Sequence, residues 1–168
     1  MQALGRSSHE DEAFMRECLE LAEKAGRTGD LPFGAVVVRE HTIIGRGYNT
    51  LIQKREVDGH AERIALLQAQ KLLHSRTLSD CTLYSNVEPC PMCSFLIREL
   101  GVRKVVFGLP SFVMGGYSKF NILQDTGLSN VVPDYFAPPP IIVGGVLKKE
   151  CTEIWKHWDP TALRLFGS

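Results

Sequence analysis

The chain has 168 residues, 44% of them hydrophobic and 23% charged, with 19 basic and 19 acidic side chains. That length and apolar share suit one domain spanning residues 1–168 and exclude a disordered chain. Net neutrality argues against an extended nucleic-acid-binding face. No apolar run approaches the ~20 residues of a membrane span, and Met1–Glu12 lacks an apolar signal core, so a cytoplasmic protein is expected.

Ser8 followed by Asp11 reads as a capped helix start. Phe14, Cys18, Leu21, Ala22 and Ala25 then recur at helical spacing, predicting a helix over 9–26 that Gly26 and Gly29 end. Residues 33–39 (FGAVVVR) and 42–48 (TIIGRGY) are short β-branched runs, a hairpin pattern. The polar stretch 49–59 reads as a loop. A helix over 61–73 should follow, with Ala61, Ile64, Ala65 and Leu72 facing inward. Residues 81–86 alternate as a strand, 91–100 form a helix with Pro91 in its first turn, and 104–108 is another strand. Residues 109–118, with Gly115 and Gly116, read as a flexible loop, followed by a short helix near 119–124. Pro138–Pro140 form a stiff lead-in to a strand at 141–143. The last helix runs over 147–158, before Asp159-Pro160. Strands separated by helices call for a partly parallel sheet covered on both faces. The expected fold is a three-layer α/β/α sandwich around a five-stranded mixed sheet.

Five cysteines without a secretory signal argue against a disulfide framework. Cys18, Cys81 and Cys151 lie in apolar contexts and read as core thiols. Cys90 and Cys93 taken alone read equally well as a redox dithiol, half of a zinc ribbon, or two core residues. Their place at a helix start favours the thiolate, the metal-binding species. His60-Ala61-Glu62 supplies an imidazole and a carboxylate. Within a regular helix side chains two apart diverge by ~200°, so His60 and Glu62 can share a site only if the helix begins at or just after His60. Two thiolates and one imidazole leave the fourth tetrahedral position of zinc open for a water or hydroxide, the arrangement of a catalytic centre. Glu62 suits the role of proton shuttle.

The pattern H-A-E, then 26 residues, then P-C-x-x-C resembles the signature of the zinc-dependent cytidine deaminase superfamily. The likeness extends over roughly residues 9–157, through Pro32–Val36, Gly45–Asn49, Thr82–Tyr84 and Val105–Gly108. By that resemblance His60, Cys90 and Cys93 match the zinc ligands and Glu62 the general acid/base. Asn49 matches a substrate-binding asparagine, and the backbone N–H of Ala61 would contact the substrate. The fold it implies is cytidine deaminase-like, and the activity is hydrolytic deamination, with a homodimer expected.

Three branches share the likeness. Glu88–Cys93 and Pro32-Phe33-Gly34 are similar to bacterial guanine deaminases, Gly45–Lys54 to fungal-type cytosine deaminase, and Lys104–Gly108 with Gly144–Cys151 to bacterial tRNA adenosine deaminase. The neutral charge and the weakly basic tail after Cys151 disfavour tRNA. Trp155 and Trp158, one helical turn apart, suit stacking on a flat base. The expected substrate is therefore a free nucleobase or nucleoside, its pocket drawing on Phe33, Asn49, Ala61, Glu88, Trp155 and Trp158. The alternatives are a tRNA adenosine deaminase, a non-catalytic zinc scaffold and a redox dithiol protein.

Overall fold

The structure is a computed structural model that describes residues 7–166. Met1–Arg6, on which part of the signal-peptide reading rests, lie outside the described residues.

Helix α1 (His9–Arg27) starts at Ser8, whose hydroxyl accepts from the Asp11 N–H while the Asp11 carboxylate accepts from the Ser8 N–H. Strands β1 (Gly34–Arg39) and β2 (Thr42–Tyr48) form the expected hairpin. The 49–59 segment, expected to be a loop, contains a one-turn helix α2 (Leu51–Lys54). Its first N–H groups, at Ile52 and Gln53, are satisfied by the distant Asp30 carboxylate, a tertiary cap that no local pattern announces. Then follow α3 (Ala61–Leu73), β3 (Thr82–Val87), α4 (Pro91–Leu100) and β4 (Lys104–Leu109). The short helix expected near 119–124 is absent. Those residues form turns, with Asn121 in the left-handed region, and helix α5 (Thr126–Val131) begins later, where the Asp125 side chain caps it. Strand β5 (Ile141–Gly144), helix α6 (Lys148–Trp158) and a 3-10 turn (Pro160–Leu165) are the last elements among the described residues.

The sheet order is β2-β1-β3-β4-β5. The β1–β2 and β1–β3 pairs are antiparallel, and the β3–β4 and β4–β5 pairs are parallel. Strands β1, β3, β4 and β5 divide their side chains between two apolar cores. Ala35, Val37, Leu83, Val105 and Ile142 meet α3 and α4 on one face. Val36, Val38, Tyr84, Val106 and Val143 meet α1 and α6 on the other. This period of two, buried on both sides, makes the three-layer sandwich.

On α3 the buried set is Ala61, Glu62, Ala65, Leu66 and Ala69. Leu72, expected to face inward, is 60% exposed, because the α3 stripe runs through the small residues that let the helix approach β2. Among the described residues, no helix is long and apolar enough to cross a membrane.

Candidate active site

The first turns of α3 and α4 meet beside the end of β3. His60 is the N-cap of α3, with φ −80° and ψ 141°, so the helix starts at Ala61. That extended entry is what allows His60 and Glu62 to serve one place. Cys90 is the N-cap of α4, Pro91 opens the helix, and Cys93 lies in its first turn. His60 Nδ1 lies 3.5 Å from Cys90 Sγ and 3.8 Å from Cys93 Sγ, and all three donor atoms fall within 4.8 Å of one another. Tetrahedral zinc would hold such nitrogen and sulfur ligands about 3.6 Å apart. The residues therefore fit zinc, bound through Nδ1 of the imidazole.

The charges at the site agree with that donor set. A hydrogen bond from the Cys93 thiol holds Cys90 down to about 4, with His60 adding to the effect against the opposing cost of burial. The same Cys90 hydrogen bond, with burial, raises Cys93 well above the thiol range. Cys90 is thus the ready thiolate, and Cys93 gives up its proton when a metal takes its place. Glu62 is 3% exposed. Burial, reinforced by the Cys90 charge, lifts its carboxyl to about 7, in the range where a carboxyl group both takes and returns protons near neutral pH.

The cavity at this junction is lined by His60, Glu62 and Cys90, with Phe33, Val87, Met114, Leu165 and Phe166 as apolar walls and Glu88 and Ser111 as polar ones. Phe33 and Glu88 therefore reach the cavity. Ala61 is buried between His60 and Glu62. Asn49 is buried with its amide donating to Asp30 at 3.0 Å and its backbone N–H donating to the Phe33 carbonyl. Trp155 is 1% exposed and sits behind the wall, edge-on to Phe33 at 5.0 Å and 4.6 Å from the Phe166 ring. Trp158 packs on Trp155 and lines a different, larger groove of about 700 Å³ between α1 and α6. That groove contains none of the metal-ligating triad, so donor chemistry and not size identifies the site.

Sequence reasoning did not find Val87, Ser111, Met114, Leu165 or Phe166. They come from three separate segments and carry no shared spacing. The aromatic tail hinted at a C-terminal wall, but the side chain that reaches the cavity is Phe166 and not a tryptophan.

With the geometry established, comparison with known proteins adds the lineage. Residues 8–109 match the family described as cytidine and deoxycytidylate deaminase zinc-binding region. The tRNA-specific adenosine deaminase of Haemophilus influenzae is 35% identical over 91% of this chain and 85% of its own. The chloroplastic tRNA(adenine(34)) deaminase of Arabidopsis thaliana is 39% identical over 88% of this chain, which spans only 12% of that longer protein. A solved structure from work on A-to-I editing by tRNA:A34 deaminases at the wobble position superposes with a TM-score of 0.76 at 26% identity, covering 84% of this chain and 98% of that one.

These findings overturn the expectation of a free nucleobase or nucleoside substrate with tRNA disfavoured. Whole-chain charge was the wrong measure, since phosphate contacts need only local cations. Lys54 and Arg55, at the end of α2, and Lys119, next to the cavity-forming turn, are exposed. None has a carboxylate partner among the described residues.

Proposed function

This chain belongs to the cytidine and deoxycytidylate deaminase zinc-binding family and is a zinc-dependent aminohydrolase, and from that premise we propose that it converts an adenosine of transfer RNA, in the anticodon, to inosine. The observation that carries this reading is the 35% identity to the Haemophilus tRNA-specific adenosine deaminase, sustained over 91% of this chain and 85% of that one.

His60, Cys90 and Cys93 would hold the zinc, which when bound supplies Lewis acidity at the one position the protein leaves open. Glu62, buried and raised to about 7, accepts a proton from the attacking water and passes it to N1 of the adenine ring. It then takes the remaining proton from the oxygen now on C6 and passes it to the departing amine. The water oxygen becomes bonded to C6, the C6–N6 bond breaks, and ammonia leaves. Phe33, Val87, Met114, Leu165 and Phe166 give the flat ring an apolar slot and exclude bulk water from the reacting face. Because a base paired in a helix cannot enter such a slot, a single-stranded loop is the substrate form the cavity suits. Lys54, Arg55 and Lys119, exposed and without a carboxylate partner among the described residues, would supply phosphate contacts.

A homodimer fits the same structure. The exposed side of α4 carries Met92 and Phe95, with the Phe95 ring tilted against Phe136 at 6.0 Å between centroids, an apolar face that a second copy would cover.

The test is to incubate the zinc-loaded chain with an unmodified tRNA carrying adenosine at the first anticodon position and to read inosine and ammonia. Adenine, adenosine, guanine, cytosine and cytidine serve as parallel substrates. Inosine formed only in the tRNA is expected. Turnover of a free base or nucleoside with no inosine in the tRNA would refute the reading.

A further inference from the structure

The Glu88 carboxylate is 3% exposed and lies in the cavity wall, yet its oxygens are directed at the protein. Oε2 accepts from the Ser111 N–H at 2.8 Å and the Ser118 hydroxyl at 2.8 Å. Oε1 accepts from the N–H groups of Tyr117 at 2.8 Å and Ser118 at 2.7 Å, with the Ser118 hydroxyl also 3.1 Å away. Three amides and a hydroxyl thus meet the roughly four lone-pair sites a carboxylate has. Both ends of the 111–118 turn close on one side chain.

The turn is built around that side chain. A Cβ on Gly115 would fall on the Glu88 carboxylate, 2.5 Å from its carbon. Gly116 donates its N–H to the Pro89 carbonyl, and the Ser94 hydroxyl reaches the same carbonyl. The turn is therefore seated on Glu88-Pro89, immediately before the ligand Cys90. The segment that sequence reading took for a flexible loop is a clamped wall. It presents Ser111 and Met114 to the cavity, and the Ser111 hydroxyl accepts the Met114 N–H.

We propose that Glu88 is a positioning residue of the deaminase, acting not on the substrate directly but by fixing the 111–118 turn as the cavity wall that orients the base. The inference relies on the proposed adenosine chemistry only for the choice of substrate. No other group among the described residues offers the turn a comparable set of acceptors, so neutralising or shortening Glu88 frees the turn while leaving His60, Cys90 and Cys93 in place.

The test compares Glu88→Gln and the milder Ser118→Ala with the wild-type chain. The measurements are bound zinc, kcat and KM on the anticodon substrate, and amide hydrogen exchange at Ser111, Tyr117 and Ser118. The amide nitrogen of Gln cannot accept from these donors. For Glu88→Gln we expect one zinc per chain, faster exchange confined to residues 109–118, and a kcat lower by about 10- to 100-fold, as misplacement of a reacting group by about 1 Å produces. KM, set by phosphate contacts elsewhere, should change by less than about threefold. Ser118→Ala should move exchange and kcat in the same direction by less, and it carries the test if Glu88→Gln fails to fold. Unchanged exchange at the three amides, or unchanged kcat with accelerated exchange, would overturn the positioning role. A kcat loss that tracks lost zinc would overturn it in favour of a metal-site role. If the wild-type chain is inert on tRNA, the proposed function fails, and the exchange measurement still decides whether Glu88 holds the turn.

Discussion

Gly47 lies on β2 directly under α3, and its replacement by alanine tests how the fold holds the site. An added Cβ would stand 2.8 Å from the Ala65 backbone nitrogen and 3.0 Å from the Ala61 carbonyl carbon, with the Ala61 oxygen nearer still. Ordinary contact begins near 3.4 Å. The nitrogen alone demands a retreat of about 0.6 Å, and the oxygen roughly 1 Å or more. The obstacles are backbone atoms, so no rotamer change relieves them. Overpacking of this kind costs about 1–3 kcal/mol. The displaced backbone belongs to α3, whose first turn carries His60, Ala61 and Glu62, so the same shift moves a metal ligand and the acid together. A misplacement of about 1 Å there should lower kcat by about 100-fold. Urea denaturation and deamination kinetics on zinc-loaded protein would measure both effects. Gly26→Ala is the control: its Cβ meets only Trp158 at 3.6 Å and Pro32 at 3.8 Å, so stability should stay within about 0.5 kcal/mol or rise slightly. A Gly47→Ala protein with wild-type midpoint and kcat would refute the claim that close approach of α3 to β2 sets the site.

Three further outcomes are expected. Glu62→Gln should keep one zinc per chain while kcat falls at least about 1,000-fold, read by metal analysis and ammonia release; a zinc-replete variant with more than a tenth of wild-type activity would dismiss Glu62 as the proton carrier. Cys93→Ala should lose zinc and melt earlier than the wild-type chain, and a chelator should lower the wild-type melting temperature towards the same value, by calorimetry. Stability should also fall in acid through Asp11. Burial alone would raise its carboxyl, but the Lys104 ammonium at 2.6 Å, the Ser8 N–H and the Tyr84 hydroxyl more than offset this and hold it below the ordinary value. A depressed folded value means the contribution is present above the unfolded value of about 3.9 and disappears as pH falls through the folded one. Lys104→Met should flatten that acid slope in urea midpoints taken between about pH 2 and 6, and an unchanged slope would remove the ion pair from the account.

The sequence made the layers and the metal centre legible for a local reason. The short apolar, β-branched runs of β1 and β4 and the alternation at 81–86 are signals contained within about six residues. Cys90 and Cys93 sit within one helical turn, and the spacing of His60 and Glu62 forced a helix start at His60, where the structure has it. What escaped was settled between distant segments. Helix α2 is capped by Asp30, more than twenty residues away in the chain. The turns at 119–124 follow from a left-handed Asn121 and the packing of the Glu88 turn, not from helix propensity. Leu72 carries an apolar side chain outward because α3 approaches the sheet through alanines.

The same division explains why the substrate was misread while the chemistry was not. Deamination requires a ligand set and a proton carrier at fixed separations, and short stretches of chain can encode those. Under the proposed function, substrate choice would rest on the cavity wall assembled from residues 33, 87, 111, 114, 165 and 166 and on cations outside it, none bound by a spacing rule. Charge balance sums over a surface of which a macromolecular substrate touches only a part, and Trp155, the residue most suggestive of base stacking, is consumed in supporting Phe33 and Phe166 from behind. A wall made from scattered segments must be fixed to the catalytic elements by something that reaches across them. Glu88 does this, because it stands two residues before a zinc ligand and holds both ends of the turn that forms the wall. Changes in the turn can therefore alter which base is accepted without disturbing His60, Cys90 and Cys93, as long as the carboxylate that anchors it is retained.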